Sequence, residues 1–318
     1  MLPKRDELEA AAAQVHAVMT PTLQYNWPLL AQRCGCDVWV KHENHTPIGA
    51  FKVRGGIVFM NDFAQHSNGA GIISATRGNH GQSIGFAARA AGVPATIVVP
   101  KGNSTEKNAA MKALGVRLIE HGHDFDEARE FADAQAAEEG LSFVPSFHPL
   151  LIQGVASYAM ELFGSVSELD TVYVPIGLGS GICGVIAARD ALNLKTRVVG
   201  VVSENAPAYA LSYEAGKPVP TNSADTFADG VACRIPDAEA VAIINKGAAR
   251  IVTVSENEIK DAMRAYYTDT HNLAEGAGAT PLAALIKEKN TMQGRKVGLI
   301  LSGGNIDTDL YGAILAGG

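Results

Sequence analysis

The stretch VYVPIGLGSGICGVIAA, Val172 to Ala188, holds a strand, a glycine turn and a helix in seventeen residues. The β-branched run Thr171–Pro175 reads as a buried strand, and the apolar segment Ile182–Asn193 reads as a helix. Between them, Gly177, Gly179 and Gly181 alternate with Leu178 and Ser180. Such a turn brings several N–H groups to bear on one phosphate. The run also has the look of a dinucleotide fingerprint. However, it lies in mid-chain, and the next strand ends in Val201-Val202-Ser203 with no clear ribose-binding acid. Phosphate binding is therefore the stronger reading.

The same rhythm extends in both directions. Upstream, helices are expected over residues 6–18, Phe51–Phe63, His80–Ala91, Thr105–Leu114, Phe125–Glu139 and Leu151–Leu162. Strands are expected over Val38–Lys41, Gly71–Ser74, Ala95–Val99, Val116–Glu120 and Ser142–Val144. Downstream come strands Arg197–Val202, Ile251–Val254 and Val297–Leu301, and helices Glu256–Thr270 and Pro281–Lys289. Residues 214–236 read as a long functional loop. Strand–helix alternation predicts an α/β fold of two lobes, each a mostly parallel sheet flanked by helices. Residues 1–50 with 150–318 are expected to form the large lobe and residues 51–149 the small one. Ligands in such folds sit in the cleft beyond the carboxyl ends of the strands.

Three further segments carry chemistry. In PIGAFKVRGG (Pro47–Gly56), Lys52 opens a helix between Phe51 and Val53. A helix N-terminus disfavours a cation, so the position and partial burial both depress the lysine pKa. A depressed lysine suits Schiff-base chemistry. In SATRGNHGQSIGFAARA (Ser74–Ala91), a strand ends in a polar turn that opens a helix, a place for a carboxylate. Asn79 there can donate to an oxyanion, and His80 is either a general base or a structural histidine. In LILSGGNIDTD (Leu299–Asp309), Ser302 ends an apolar strand. It either donates to a ring nitrogen or caps the next helix.

Composition sets limits. The 318 residues carry a net charge of −7, with 47% hydrophobic and 19% charged residues. This is ordinary for a globular enzyme and unsuited to nucleic acid as main partner. Cys34, Cys36, Cys183 and Cys233 do not make a zinc or disulfide framework, so no metal is expected. No uncharged apolar stretch reaches about 18 residues and no signal sequence is read, so a cytoplasmic chain without a membrane partner is expected.

Together the four segments resemble the threonine/serine dehydratase branch of fold-type II pyridoxal-phosphate enzymes, over nearly the whole chain. The resemblance implies pyridoxal 5'-phosphate (PLP) in the cleft between the lobes, with Lys52 as the catalytic Schiff-base lysine. It implies a cofactor set of Phe51, Lys52, Asn79, Gly177, Leu178, Gly179, Ser180, Gly181 and Ser302, with Ser302 on the pyridine nitrogen and Asn79 on the ring hydroxyl. Ser74, Thr76, Arg77, Gly78, Asn79 and His80 become the substrate set. The implied activity is α,β-elimination of water from a 3-hydroxy amino acid, giving a 2-keto acid and ammonia, in a homodimer. A β-replacement synthase of the same fold, a nicotinamide-dependent dehydrogenase and a non-catalytic PLP or amino-acid sensor are the alternatives.

Departures from the family pattern bear on substrate. The usual Thr-Gly-Ser before Phe-Lys is Ile48-Gly49-Ala50 here, so two hydroxyls near the cofactor are missing. Racemases of the family carry a serine where this chain has Arg77, and a guanidinium cannot readily relay a proton. Arg77 either clamps a carboxylate, stacks on an aromatic group or faces solvent. The family's Glu-Pro metal motif falls on Val202-Ser203, with Glu204 one place late. The chain ends soon after Ser302, which suggests a catabolic-type enzyme. Threonine and serine are the default substrates. The changed residues favour a threonine-like or aromatic one such as phenylserine, with 3-hydroxyaspartate the acidic alternative.

Overall fold

The computed structural model describes residues 2–67 and 69–317, so residues 1, 68 and 318 lie outside it. Among the described residues, ten strands form two sheets. They are β1 (Gln24–Asn26), β2 (Asp37–His42), β3 (Ile72–Ala75), β4 (Ala95–Val99), β5 (Arg117–Glu120), β6 (Ser142–Phe143), β7 (Thr171–Pro175), β8 (Arg197–Ser203), β9 (Arg250–Val254) and β10 (Lys296–Leu301). The larger sheet has the order β1-β2-β10-β7-β8-β9 and the smaller the order β5-β4-β3-β6. Every pairing is parallel except that of β1 with β2, which is antiparallel.

Parallel sheets need both faces covered, so their strands are apolar throughout. Accordingly every residue of β3 and β7 is buried, as are five of the six in β10. Helices Pro149–Ser165 and Ser180–Ala191 pack with β7, β8 and β10 in one core cluster, and Glu256–Thr270 and Gly276–Lys287 pack in another. The smaller sheet buries Ile72, Ile97 and Val99 against Met60, Ile84 and Met111.

Strand order places the ligand cleft. From β7 the chain runs outward through β8 and β9, then returns to β10 on the other side of β7. The carboxyl ends of β7 and β10 therefore lie side by side at the point where the order reverses. The end of β3 faces them from the other sheet, since Asn79, four residues beyond β3, is hydrogen-bonded to Glu275 and Asn305.

Several elements differ from expectation. Helices Pro28–Cys34, Ala208–Ala215 and Ala238–Gly247 and strand β1 occupy stretches to which, apart from the 214–236 loop, no element was assigned from the sequence. The helix expected from Pro281 begins five residues earlier, at Gly276, with Pro281 inside it. Proline removes the donor that would reach the carbonyl of Ala277. The Thr280 hydroxyl donates to that oxygen instead, at 3.0 Å.

Candidate active site

A cleft of about 390 Å³ lies between the sheets, lined from one side by Phe51, Lys52 and the turn Thr76–His80, and from the other by Gly177–Gly181 and Ser302. Part of the Lys52 side chain faces the opening, while protein surrounds its amine. That burial lowers the pKa from 10.5 to about 8. Among the described residues the amine has no carboxylate partner. Its one hydrogen bond among the described residues runs to the Ser180 hydroxyl, 3.3 Å away at the helix start that ends the opposite glycine turn. Desolvation without a counter-ion makes the amine easier to deprotonate than a free lysine, so a larger fraction is neutral and nucleophilic near physiological pH.

Lys52 is held from behind. The Phe51 amide donates to the Ser302 carbonyl at 2.9 Å, which ties the helix start to the end of β10. Two residues further, Arg54 is wholly buried and forks onto Glu43 and Glu161, with Nε–Oε2 and Nη1–Oε1 distances of 2.6 Å. Lys41 completes the cluster on Glu161 at 2.5 Å. A buried bidentate network of this kind fixes the direction of the helix Lys52–His66 more than it stabilises the fold.

The glycine turn is a nest of donors. Among the described residues, none of the backbone amides of Gly177, Leu178, Gly179, Ser180 or Gly181 makes a hydrogen bond, whereas Ile176 and Cys183 on either side do. Gly179 holds φ at +100°, a glycine conformation. At Gly177 a Cβ would lie 2.3 Å from the carbonyl oxygen of Gly230. Tyr209 and Tyr158 pin the turn by donating to the carbonyls of Leu178 and Gly181. Five free amides at a helix start suit a phosphate group.

The residues present thus fit PLP. The glycine turn would hold its phosphate, Lys52 its aldehyde carbon, and the unbonded Ser302 hydroxyl lines the cleft for the ring nitrogen. Asn79 is pinned by donating to Glu275 at 2.7 Å and accepting from Asn305 at 2.8 Å. Ser302 does not cap a helix, because the next one, Thr308–Leu315, begins after Asp307.

The substrate set divides. Thr76, Arg77, Gly78, Asn79 and His80 line the cleft, but Ser74 does not. Its hydroxyl donates to the Val144 carbonyl inside the small sheet, so Ser74 is structural. The Thr76 hydroxyl accepts from the amides of Gly78 and Gly81 and shapes the turn. Burial, with help from the charge of Lys52, lowers the His80 pKa to about 3. A buried imidazole so disfavoured in its charged form is a weak proton acceptor, which favours the structural reading. Ile48 and Ala50 pack with Val53 and Ile57 in the core rather than in the cleft, so those two departures leave the pocket wall unchanged.

Glu275, Lys107 and Asp229 were not singled out from the sequence. Glu275 is buried, accepts from Asn79 through one oxygen and leaves the other without a hydrogen bond, 3.8 Å from the Lys107 amine. Burial raises its pKa, against the pull of Lys107 at 3.8 Å. Its signal was a single acid in the otherwise uncharged run 272–286.

Among the described residues, no group of His, Cys, Asp and Glu could hold a metal ion. Nor is any helix long and apolar enough to cross a membrane.

Comparison with known proteins agrees with this geometry. The chain is 32% identical over 316 residues to an L-threonine ammonia-lyase of Thermotoga maritima, covering 99% of this chain and 78% of that protein. It is 29% identical over 318 residues to an L-threo-3-hydroxyaspartate ammonia-lyase of Saccharomyces cerevisiae, covering 100% and 98%. Among solved structures it superposes on maize serine racemase with a TM-score of 0.90 at 27% identity, over 100% of this chain and 98% of that one. Residues 15–303 match the family described as pyridoxal-phosphate dependent enzyme, and the chain belongs to that family.

Proposed function

We propose that the protein is a PLP-dependent dehydratase (ammonia-lyase) that converts a 3-hydroxy amino acid to a 2-keto acid and ammonia. The observation that carries the reading is the Lys52 amine, desolvated to a pKa of about 8 and 3.3 Å from a turn of five free amides. The names of the relatives, lyases acting on threonine and hydroxyaspartate, support it.

The bound cofactor supplies an electron sink beside the substrate Cα. Lys52, whose lowered pKa eases its deprotonation, takes the Cα proton in its neutral form. The free amides of Asn79 and His80 hold the α-carboxylate, since neither makes a hydrogen bond among the described residues. Asn79, fixed between Glu275 and Asn305, keeps that edge of the site in register. Loss of the Cα proton and the β-hydroxyl, as water, leaves an enamine. Hydrolysis of that enamine after release gives the keto acid and ammonia.

Threonine, serine and phenylserine share the leaving group and form the substrate panel. The apolar wall of Phe125, Leu178 and Ile235 suits the larger members. A cytoplasmic setting is supported by four buried, unpaired cysteines. A homodimer is supported by exposed Leu23 and Tyr25 at the edge strand β1, an apolar edge that needs covering. The test is a visible spectrum followed by a keto-acid assay on the panel. Yellow protein that releases keto acid and ammonia without an added nucleophile is expected. Turnover only with a second nucleophile would make it a β-replacement enzyme, and colourless protein that binds a nicotinamide cofactor would overturn the reading.

A further inference from the structure

Among the described residues the charges lining the cleft are paired, with two exceptions, both on the wall of Lys52 and the turn Thr76–His80. Lys107 donates to Asp229 at 2.6 Å and lies 3.8 Å from Glu275. Arg234 and Arg129 both reach Asp126, at 2.7 and 3.6 Å. Lys52 is the exception already assigned to the cofactor. The other is Arg77. It lines the cleft, is exposed to it, and makes no hydrogen bond or ion pair among the described residues.

Two features of the same turn show what Arg77 is free to do. The amides of Asn79 and His80 already provide a place for the α-carboxylate common to every amino acid, as the amides of Gly78 and Gly81 are taken up by Thr76. With Ile48 and Ala50 turned into the core, Arg77 is also the one departure noted from the dehydratase pattern that reaches the pocket wall. A guanidinium on a concave wall with no protein partner matches a planar anion through two parallel hydrogen bonds.

We infer that Arg77 binds a second carboxylate, carried on the substrate's β-carbon, so the preferred substrate is a 3-hydroxy amino dicarboxylic acid such as 3-hydroxyaspartate. This rests on the dehydratase reading for its chemistry and sharpens it for its substrate. Elimination then removes the Cα proton and the β-hydroxyl as before, and hydrolysis gives a 2-keto dicarboxylic acid and ammonia. The distal carboxylate stays on Arg77 throughout.

The test uses holoenzyme as isolated and two variants, Arg77→Leu and Arg77→Lys. Because Arg77 is on the cleft surface, neither disturbs the core. In the parent, kcat/KM for 3-hydroxyaspartate should exceed that for threonine by about tenfold or more, the size of a charge-assisted pair. That ratio should fall by at least about tenfold in Arg77→Leu and by less in Arg77→Lys, which keeps the charge but not the fork. An equal loss on both substrates would place Arg77 on the α-carboxylate and overturn the proposal, as would a parent enzyme that prefers threonine or phenylserine. Spectral titration with aspartate and with 2-aminobutyrate, which lack a β-hydroxyl, reads binding apart from elimination. Tighter aspartate binding in the parent, lost in Arg77→Leu, is expected, and equal affinities would overturn the proposal. A protein that shows this binding preference but releases keto acid from no hydroxy amino acid would sink the dehydratase reading and leave the carboxylate site standing.

Discussion

At Lys52 one amine carries two consequences that can be measured separately. Lys52→Ala should abolish the yellow absorbance and turnover together, whereas loss of turnover alone would point to another attachment point. The second consequence concerns stability. The amine titrates at 10.5 when free and at about 8 in the fold, so between these values the folded state binds fewer protons. The contribution of this group to stability therefore rises with pH from about 8 to 10.5. Cofactor-free Lys52→Met should be more stable than the parent below pH 8, and its advantage should vanish as pH approaches 10.5. A difference in melting temperature that stays flat with pH would show the amine to be solvated. Gly177→Ala tests the opposite wall. Its methyl would meet the Gly230 carbonyl, the turn must shift, and PLP affinity should drop by about tenfold or more by fluorescence titration. Lys52 and the glycine turn were legible in the sequence because their chemistry demands particular residue types within a few positions. Glu275 was not, because its partner Asn79 lies 196 residues away.

Among the elements, the helix Lys52–His66 has the most demanding support. Arg54, two residues into it, lies between Glu43 and Glu161 with no exposure of its own. Arg54→Met leaves Glu161 with Lys41 and His16 and Glu43 with only the Thr22 hydroxyl, and should cost roughly 3–5 kcal/mol in urea unfolding. A loss below about 1 kcal/mol would mean that the network is no more than a surface pair. Elements punctuated by local signals were read to the residue, as with Ala95–Val99 before Pro100, Phe125–Glu139 before Gly140 and Glu256–Thr270 after Ser255. The start of the helix Gly276–Lys287 was missed because Gly276 and Gly278 disfavour helix by propensity. They are there for close approach, since a Cβ at Gly278 would lie 2.6 Å from the Gly303 carbonyl oxygen. Tertiary contact overrode the local preference, and no window of sequence contains that contact.

For the whole molecule, two sheets of six and four strands meet along a seam of side-chain bonds that cross the cleft. Asn79 to Glu275, Lys107 to Asp229, Ser104 to Asp307 and Glu106 to the Thr308 amide all run from one sheet's side to the other. We take residues 51–149 to move as one body against 1–50 and 150–318, with this seam closing over substrate. Lys107→Met should accelerate hydrogen exchange in residues 103–107 and 305–309 together, whereas a change on one side only would argue against a shared closure. The α/β class and the paired sheets followed from strand–helix alternation, while the seam depends on residues that meet only after folding. The most direct measurement of the central claim is borohydride reduction of the protein with PLP, followed by peptide mass mapping. The account predicts a single phosphopyridoxyl group on Lys52, and a label on another lysine, or no label at all, would contradict it.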